Sequence, residues 1–272
     1  MPLIIIVALA LFSVLWLTGE PLRLEWRRRR LRSQPFPAHW RDILKRRVPQ
    51  FRTLPVDLQL QLKKHIQVFV AEKRFVGCAG LEIDDDIRVT IAAQACLLLL
   101  NRRTGYFPGL REILVYPGAF AVRRAQTDAG GVVHEGRAVH LGESSSRGHV
   151  VLSWDDALQG AADTRDGHNV VIHEFAHQLD QENGEANGAP PQFGRARMER
   201  WSVVLNAAFA RLHEQLRLQE EPALDPYGAS NPAEFFAVAS ESFFERPQHL
   251  AEAFPELFRE LSAFYRVNPL IW

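Results

Sequence analysis

The sequence predicts an α+β protein, mostly helical around a small sheet and preceded by an N-terminal hydrophobic helix. Three observations carry this expectation. Apolar residues recur at helical spacing in the early and late parts of the chain, short β-branched runs bounded by Gly or Pro lie between them, and residues 2–17 carry no charge.

A chain of 272 residues, 47% hydrophobic and 24% charged, has room for one large folded domain or two small ones. Lys+Arg and Asp+Glu number 32 each, so no global charge points to nucleic acid, and direct nucleic-acid binding is not expected. The two cysteines, Cys78 and Cys96, form no CxxC pair and read as buried thiols in a reducing compartment.

The run PLIIIVALALFSVLWL (2–17) spans about 24 Å at helical rise, short of a ~30 Å hydrocarbon core but workable with thinning or flanking residues. No Lys or Arg precedes it and no small-residue cleavage site follows, unlike a secretory signal. Arg27 to Arg30 come afterwards, which leaves the rest of the chain in the cytoplasm by the positive-inside rule. Residues 1–19 therefore read as a membrane anchor. Residues 20–48 read as a basic juxtamembrane segment whose arginines either meet anionic headgroups or are simply solvated, and 49–272 as the folded domain.

Within that domain the periodicity predicts helices over 56–73 and 87–101, the first preceded by Pro55. EILVYP (112–117) and HVVLSW (149–154) read as strands, and 132–141 as a hairpin around Glu135-Gly136. HVVLSW is a candidate edge strand for pairing with an extended peptide, and Trp154 to Asp156 a helix start. Further helices are expected near 169–181, 194–219, 232–246 and 254–266.

The chemistry concentrates in His173-Glu174-Phe175-Ala176-His177. Residues four apart share a helix face, so both imidazoles reach one ion, and neutral imidazole nitrogens suit zinc. Glu174 lies beside the ion, placed to act as base toward a water that zinc acidifies. Val170, Val171, Ile172, Phe175, Ala176 and Leu179 make the helix apolar, and two histidines and a glutamate buried there need a partner such as zinc. A catalytic zinc takes three protein ligands and leaves one position open. Asp180 and Asn183 stand where a metzincin has Gly and His, so that pattern is absent. Glu199 is at a plausible distance for a thermolysin-like ligand but lacks the usual acidic neighbour one turn on. Glu234 is the better candidate. It falls in the first turn of an apolar helix after Asn231 and Pro232, where it is either the third ligand or a capping-box glutamate.

HEFAHQLD, the following NGxxNGxP (Asn183, Gly184, Asn187, Gly188, Pro190) and YxxxNPAExFAVxSExFF from Tyr227 resemble the Mlc titration factor A family of bacterial zinc peptidases. The catalytic domain of anthrax lethal factor has a similar layout. The likeness covers roughly residues 50–268, including ILVYPGAF and HVVLSW, and leaves the N-terminal run outside. It implies a zincin-like (gluzincin) fold with His173, His177 and Glu234 around Zn2+, Glu174 as base, and Tyr227 as donor to the oxyanion, a role in which a phenol near the metal stabilises charge that develops in the transition state. It also implies aminopeptidase-like hydrolysis of a peptide or protein substrate. The alternative is a regulatory protein that sequesters a transcriptional repressor, as the family name refers to. The anchor then places the chain at the inner membrane facing the cytoplasm, or, without it, in the cytoplasm.

Asp180 shares a face with His177 and is read either as its orienting partner or as a solvated residue. Glu241 shares a face with Glu234 and is read as a structural core partner in preference to an outer-shell group. His134, His140, His149 and His168 lie near the strands or the metal helix, His168 at its start being the most interesting.

Overall fold

A computed structural model describes residues 19–102, 105–127, 133–140, 142–145, 148–192 and 194–272, with side chains in 120–147 left aside. Residues 19–33 form helix α1 and Ala38–Arg47 form α2. Then follow α3 (Val56–Glu72), β1 (Arg74–Gly77), α4 (Asp85–Leu97), β2 (Glu112–Tyr116), β3 (Phe120–Thr127), β4 (Val133–His140), β5 (Gly142–Ser145) and β6 (His149–Ser153). The C-terminal half is helical: α5 (Trp154–Ala162), α6 (Val170–Asp180), α7 (Arg195–Arg217), α8 (Pro232–Glu245), α9 (Pro247–Ala253) and α10 (Pro255–Tyr265). This is the expected α+β arrangement, mostly helical around a small sheet.

The main sheet runs β1-β2-β6-β5, with β1, β2 and β6 parallel and β5 antiparallel to β6. Ile113 and Val115 of β2 and Val150 and Leu152 of β6 are fully buried, because a sheet covered by helices needs apolar side chains where they pack. The HVVLSW strand, expected at an edge, is interior. Its backbone is taken on one side by β2 and on the other by β5, which becomes the edge. The expected hairpin around Glu135-Gly136 is also corrected. Val133–His140 is one continuous strand paired with Phe120–Thr127, and Gly136 sits mid-strand opposite Arg124. The preceding strand satisfies this backbone, so no reversal is needed at the glycine.

Local chemistry explains the helices that position the site. Asn169 caps α6, its Oδ1 accepting from Ile172 N at 3.0 Å. The helix buries Val171, Ile172, Phe175, Ala176 and Leu179. Phe175 meets Phe107 edge-on at 4.8 Å between centroids and Phe69 at 5.6 Å, which seats α6 against α3 and the loop before β2. Asn231 caps α8 through bonds from Ala233 N and Glu234 N, and Pro232 fills the first helical position. α8 then packs along α6.

The basic stretch 20–48 supplies α1 and α2. Ile43 and Leu44 of α2 are buried in the core, and Arg28 of α1 makes a two-pronged bond to Glu72 at 2.7 and 2.8 Å. Residues 2–17 lie outside the described residues. Among those described, no helix is long and apolar enough to cross a membrane. Cys78 is half-buried and Cys96 buried, both as free thiols.

Candidate metal centre

α6 and α8 bring three side chains to one point. His173 Nε2 lies 2.9 Å from Glu234 Oε2, His177 Nε2 lies 3.3 Å from the same oxygen, and the two Nε2 atoms are 3.2 Å apart. Four ligands around zinc at 2.0–2.1 Å place neighbouring ligand atoms about 3.3 Å apart, so this triangle has the size of a tetrahedral face. These residues form the group of potential metal ligands among the described residues. The donor set fits a divalent transition metal, with two imidazole nitrogens and one carboxylate oxygen. The fit is tested again by Glu174. Its carboxylate is buried, and its Oε2 finds no hydrogen-bond partner among the described protein groups. Such an atom needs a partner that the protein does not supply.

The electrostatics agree. Burial pushes the Glu174 carboxyl up to about 7, against the pull of His173 and His177. At His173, burial opposes the charged form but Glu241, Glu234 and Glu174 outweigh it and raise the imidazole well above its ordinary range. Burial likewise opposes the Glu234 charge, while bonds from both histidines hold its carboxyl well below the usual carboxylate range. The pocket is cation-seeking.

The geometry bears on several readings that the sequence leaves open. Glu234 turns its carboxylate to the histidines and leaves capping to Asn231. Glu241 is not merely a core partner. His173 Nδ1 donates to its Oε1 at 2.7 Å, which fixes the tautomer that directs Nε2 toward Glu234 and His177. Asp180 neither bonds His177 nor is solvated. It is fully buried, and its Oδ2 accepts from Gly188 N at 2.7 Å. Trp201 Nε1 donates to Gly188 O at 2.9 Å, so the Asn-Gly loop is pinned through both backbone polar groups of one residue. Gly188 has φ +78°, and a Cβ there would stand 2.4 Å from Pro232 O, which accounts for the glycine beside the start of α8.

Tyr227 lies in the turn Pro226–Ala229, its ring 6.0 Å from that of His173 and 54% exposed. It borders the centre from the solvent side. His168 sits at 3.4 Å from Asp225, the residue that caps this turn, so it braces the Tyr227 turn and does not join the ligand cluster. Glu199 pairs with Arg195 on the surface, away from the cluster. A cleft of about 460 Å³ opens beside His177 and Glu234, walled by Asn187 and Ala186 of the loop and by Asn231.

Two residues that the sequence reading does not single out, Asn169 and Glu245, lie behind the centre. Asn169 is 3% exposed and spans four groups: besides capping α6, it donates its backbone N–H to Glu241 Oε2 at 2.5 Å and its amide to Gly160 O at 3.0 Å and Glu245 Oε1 at 2.9 Å. A hydrogen-bonded line thus runs Glu245–Asn169–Glu241–His173. The cap position of Asn169 is legible in the sequence, but its outer partners come from α8 more than seventy residues away. Burial, with the charges of Glu241 and Asp166, pushes the Glu245 carboxyl up to about 9. The folded state therefore holds a proton that the unfolded state releases near pH 4.5, and stability falls as pH rises from there to about 9, by up to about 1.4 kcal/mol per pH unit. Glu245→Gln, which keeps an acceptor for Asn169, is expected to flatten that part of the curve. Denaturant melts of both proteins from pH 5 to 9 check it, and parallel curves would remove the assignment.

Two helical histidines, His177 buried and His173 half-buried, and a distant helical glutamate make a group able to hold a metal ion in a protein of mixed α and β structure. Residues 23–266 match the sequence profile of the glucose-regulated metallo-peptidase M90 family, and the chain belongs to that family. It is 39% identical over 272 residues to the protein slr2042 of Synechocystis sp., covering 100% of this chain and 99% of that one. It is 35% identical over 248 residues to Mlc titration factor A of Escherichia fergusonii, covering 90% and 92% of the two chains. With Mlc titration factor A of Escherichia coli it shares 36% over 233 residues, 85% and 86% of the two. The likeness thus reaches further toward the N-terminus than the motifs alone suggest, taking in α1 and α2.

Proposed function

We propose that this metallopeptidase is a zinc enzyme of the zincin-like, gluzincin type, in which His173, His177 and Glu234 hold the ion and Glu174 is the catalytic base. The observation that carries the reading is the triangle of ligand atoms 2.9–3.3 Å apart on α6 and α8, next to a buried glutamate with an unpartnered oxygen. A divalent ion held by His173, His177 and Glu234 would supply Lewis acidity toward water and the scissile carbonyl.

The chain's own residues do the rest. Glu174 takes a proton as water oxygen bonds to the carbonyl carbon, and returns it to the amine nitrogen as the C–N bond breaks. Tyr227 O–H donates to the oxygen that gains negative charge. Glu241 keeps His173 in one tautomer and orientation. The substrate is a peptide or protein segment. β5, the edge strand, packs along α6 and offers backbone groups for an extended chain to pair with. Aminopeptidase-like cleavage is the form we propose, with the cleft beside Asn187 taking the flanking residues.

A second reading follows from the relatives' name. Proteins called Mlc titration factor A suggest by that name a titrated partner, and we propose a comparable regulatory contact with a transcriptional repressor for this chain. The buried Glu174 favours catalysis, since holding an ion does not require it. We also propose that residues 2–17 tether the chain to the inner membrane with the peptidase in the cytoplasm, supported by the uncharged run and the arginines after it.

The test is metal content of the purified chain, with hydrolysis of matched peptides bearing free or acetylated N-termini. About one zinc per chain and preference for free amines are expected. A protein that holds zinc yet cleaves neither set would leave the binding reading in its place.

A further inference from the structure

α1 has two unlike faces. At about 100° per residue, Arg28 and Leu31 point to one side and Leu22 and Trp26 to the other. The first side is docked, through Arg28 on Glu72 and Leu31 against the core. The second points away from the protein, with Leu22 74% and Trp26 65% exposed. Around the helix Arg29 borders this apolar stripe on one side and Arg30 and Arg23 on the other, and the Arg30 guanidinium stands 6.0 Å over the Trp26 ring. Over 19–33 six arginines face two glutamates, and one of those, Glu25, pairs with Arg29 and Arg32. Leu22 and Trp26 are four residues apart and so neighbours on one helix face, which makes their exposed apolar surface a joint patch and not two scattered side chains.

We infer that an anionic lipid bilayer covers this face: Leu22 and Trp26 enter the headgroup–acyl boundary, and Arg23 and Arg30 lie on lipid phosphates. Charge and position identify the occupant. Arginines flanking an indole match the aromatic and basic belt of a membrane interface. The stripe also begins five residues after the uncharged run 2–17 ends, and Trp26 comes nine residues after that end. This rests on the proposed tether and goes beyond it. A tether alone leaves the peptidase free to swing, whereas α1 lying on the surface sets its orientation, because α1 is bonded to α3 and the core.

The experiment uses the full chain in vesicles of brominated phosphatidylcholine with phosphatidylglycerol. Bromine quenches tryptophans at membrane depth, and the chain has Trp16 within the run and Trp26 on α1. Trp16→Phe leaves Trp26 as the reporter, Trp26→Phe leaves Trp16, and the double variant sets the background of the other four. A bromine-dependent emission loss in Trp16→Phe several-fold above the double variant is expected, shrinking when phosphatidylglycerol is replaced by neutral lipid. Equal losses in those two proteins would overturn the lipid face. If Trp26→Phe is still quenched in that case, the tether stands and only the α1 surface falls; if it is not, both fall. Quenching of Trp26 unchanged in neutral vesicles overturns the anionic assignment.

Discussion

Glu174→Gln leaves the metal in place and lowers peptide hydrolysis about 10²–10⁴-fold, the range spanned by loss of a general base. The change removes the proton acceptor and little else. Glu174 makes no ligand bond in the His173–His177–Glu234 triangle, and Gln occupies the same volume on a helix whose packing rests on Phe175, Ile172 and Leu179. The loss is therefore expected in kcat with KM nearly unchanged, and zinc content should match the parent. Unchanged turnover would falsify the assignment of the base. The same variant separates the two functional readings: a partner-binding role through the surface survives it, and catalysis does not.

Glu234→Ala has the opposite signature. On the proposed ligand set it removes one of three ligands, and the two remaining histidines are expected to lose the ion to a competing chelator. The loss of affinity should exceed the roughly 10–100-fold that removal of an outer-shell partner costs, which is the range expected for Glu241→Ala. The fold should persist, because Asn231 caps α8 through its own side chain and Phe235, Phe236 and Phe243 keep the helix in the core. Chelator competition with a zinc indicator, alongside circular dichroism, measures both. A Glu234→Ala protein that binds zinc as tightly as the parent would show that another residue is the third ligand.

Residue patterns name the three residues that α6 and α8 bring together, although they leave Glu234 open between ligand and cap, because all three lie on strongly periodic helices. The four-residue spacing of His173 and His177 fixes a shared face, and the Asn231-Pro232 start places Glu234 in a first turn. What lies around the centre was less legible, for a physical reason. Asp180 turns to Gly188, and Glu241 to His173 and Asn169, through tertiary approach, which no local spacing encodes. The sheet shows the same limit. HVVLSW is recognisable as a strand, but whether it is an edge depends on β5, four residues of weak strand character that pair with it. Composition leaves the basic stretch open between headgroup contact and simple solvation, and it does not reveal that Ile43 and Leu44 carry α2 into the core or that Arg28 is drawn to Glu72. Short α9 escapes a reading by periodicity because seven residues hold too few turns to show one.

The ligand atoms of His173 and Glu234 meet across a sequence separation of 61 residues, on two helices that must both be docked. A partly folded chain has no such site, so an ion that binds there binds the finished protein and adds its binding free energy to the fold. On the proposed zinc site, metal supply is therefore expected to set the chain's lifetime as well as its turnover: starved of zinc, the chain should open more often and be cleared sooner, which its half-life under chelation measures.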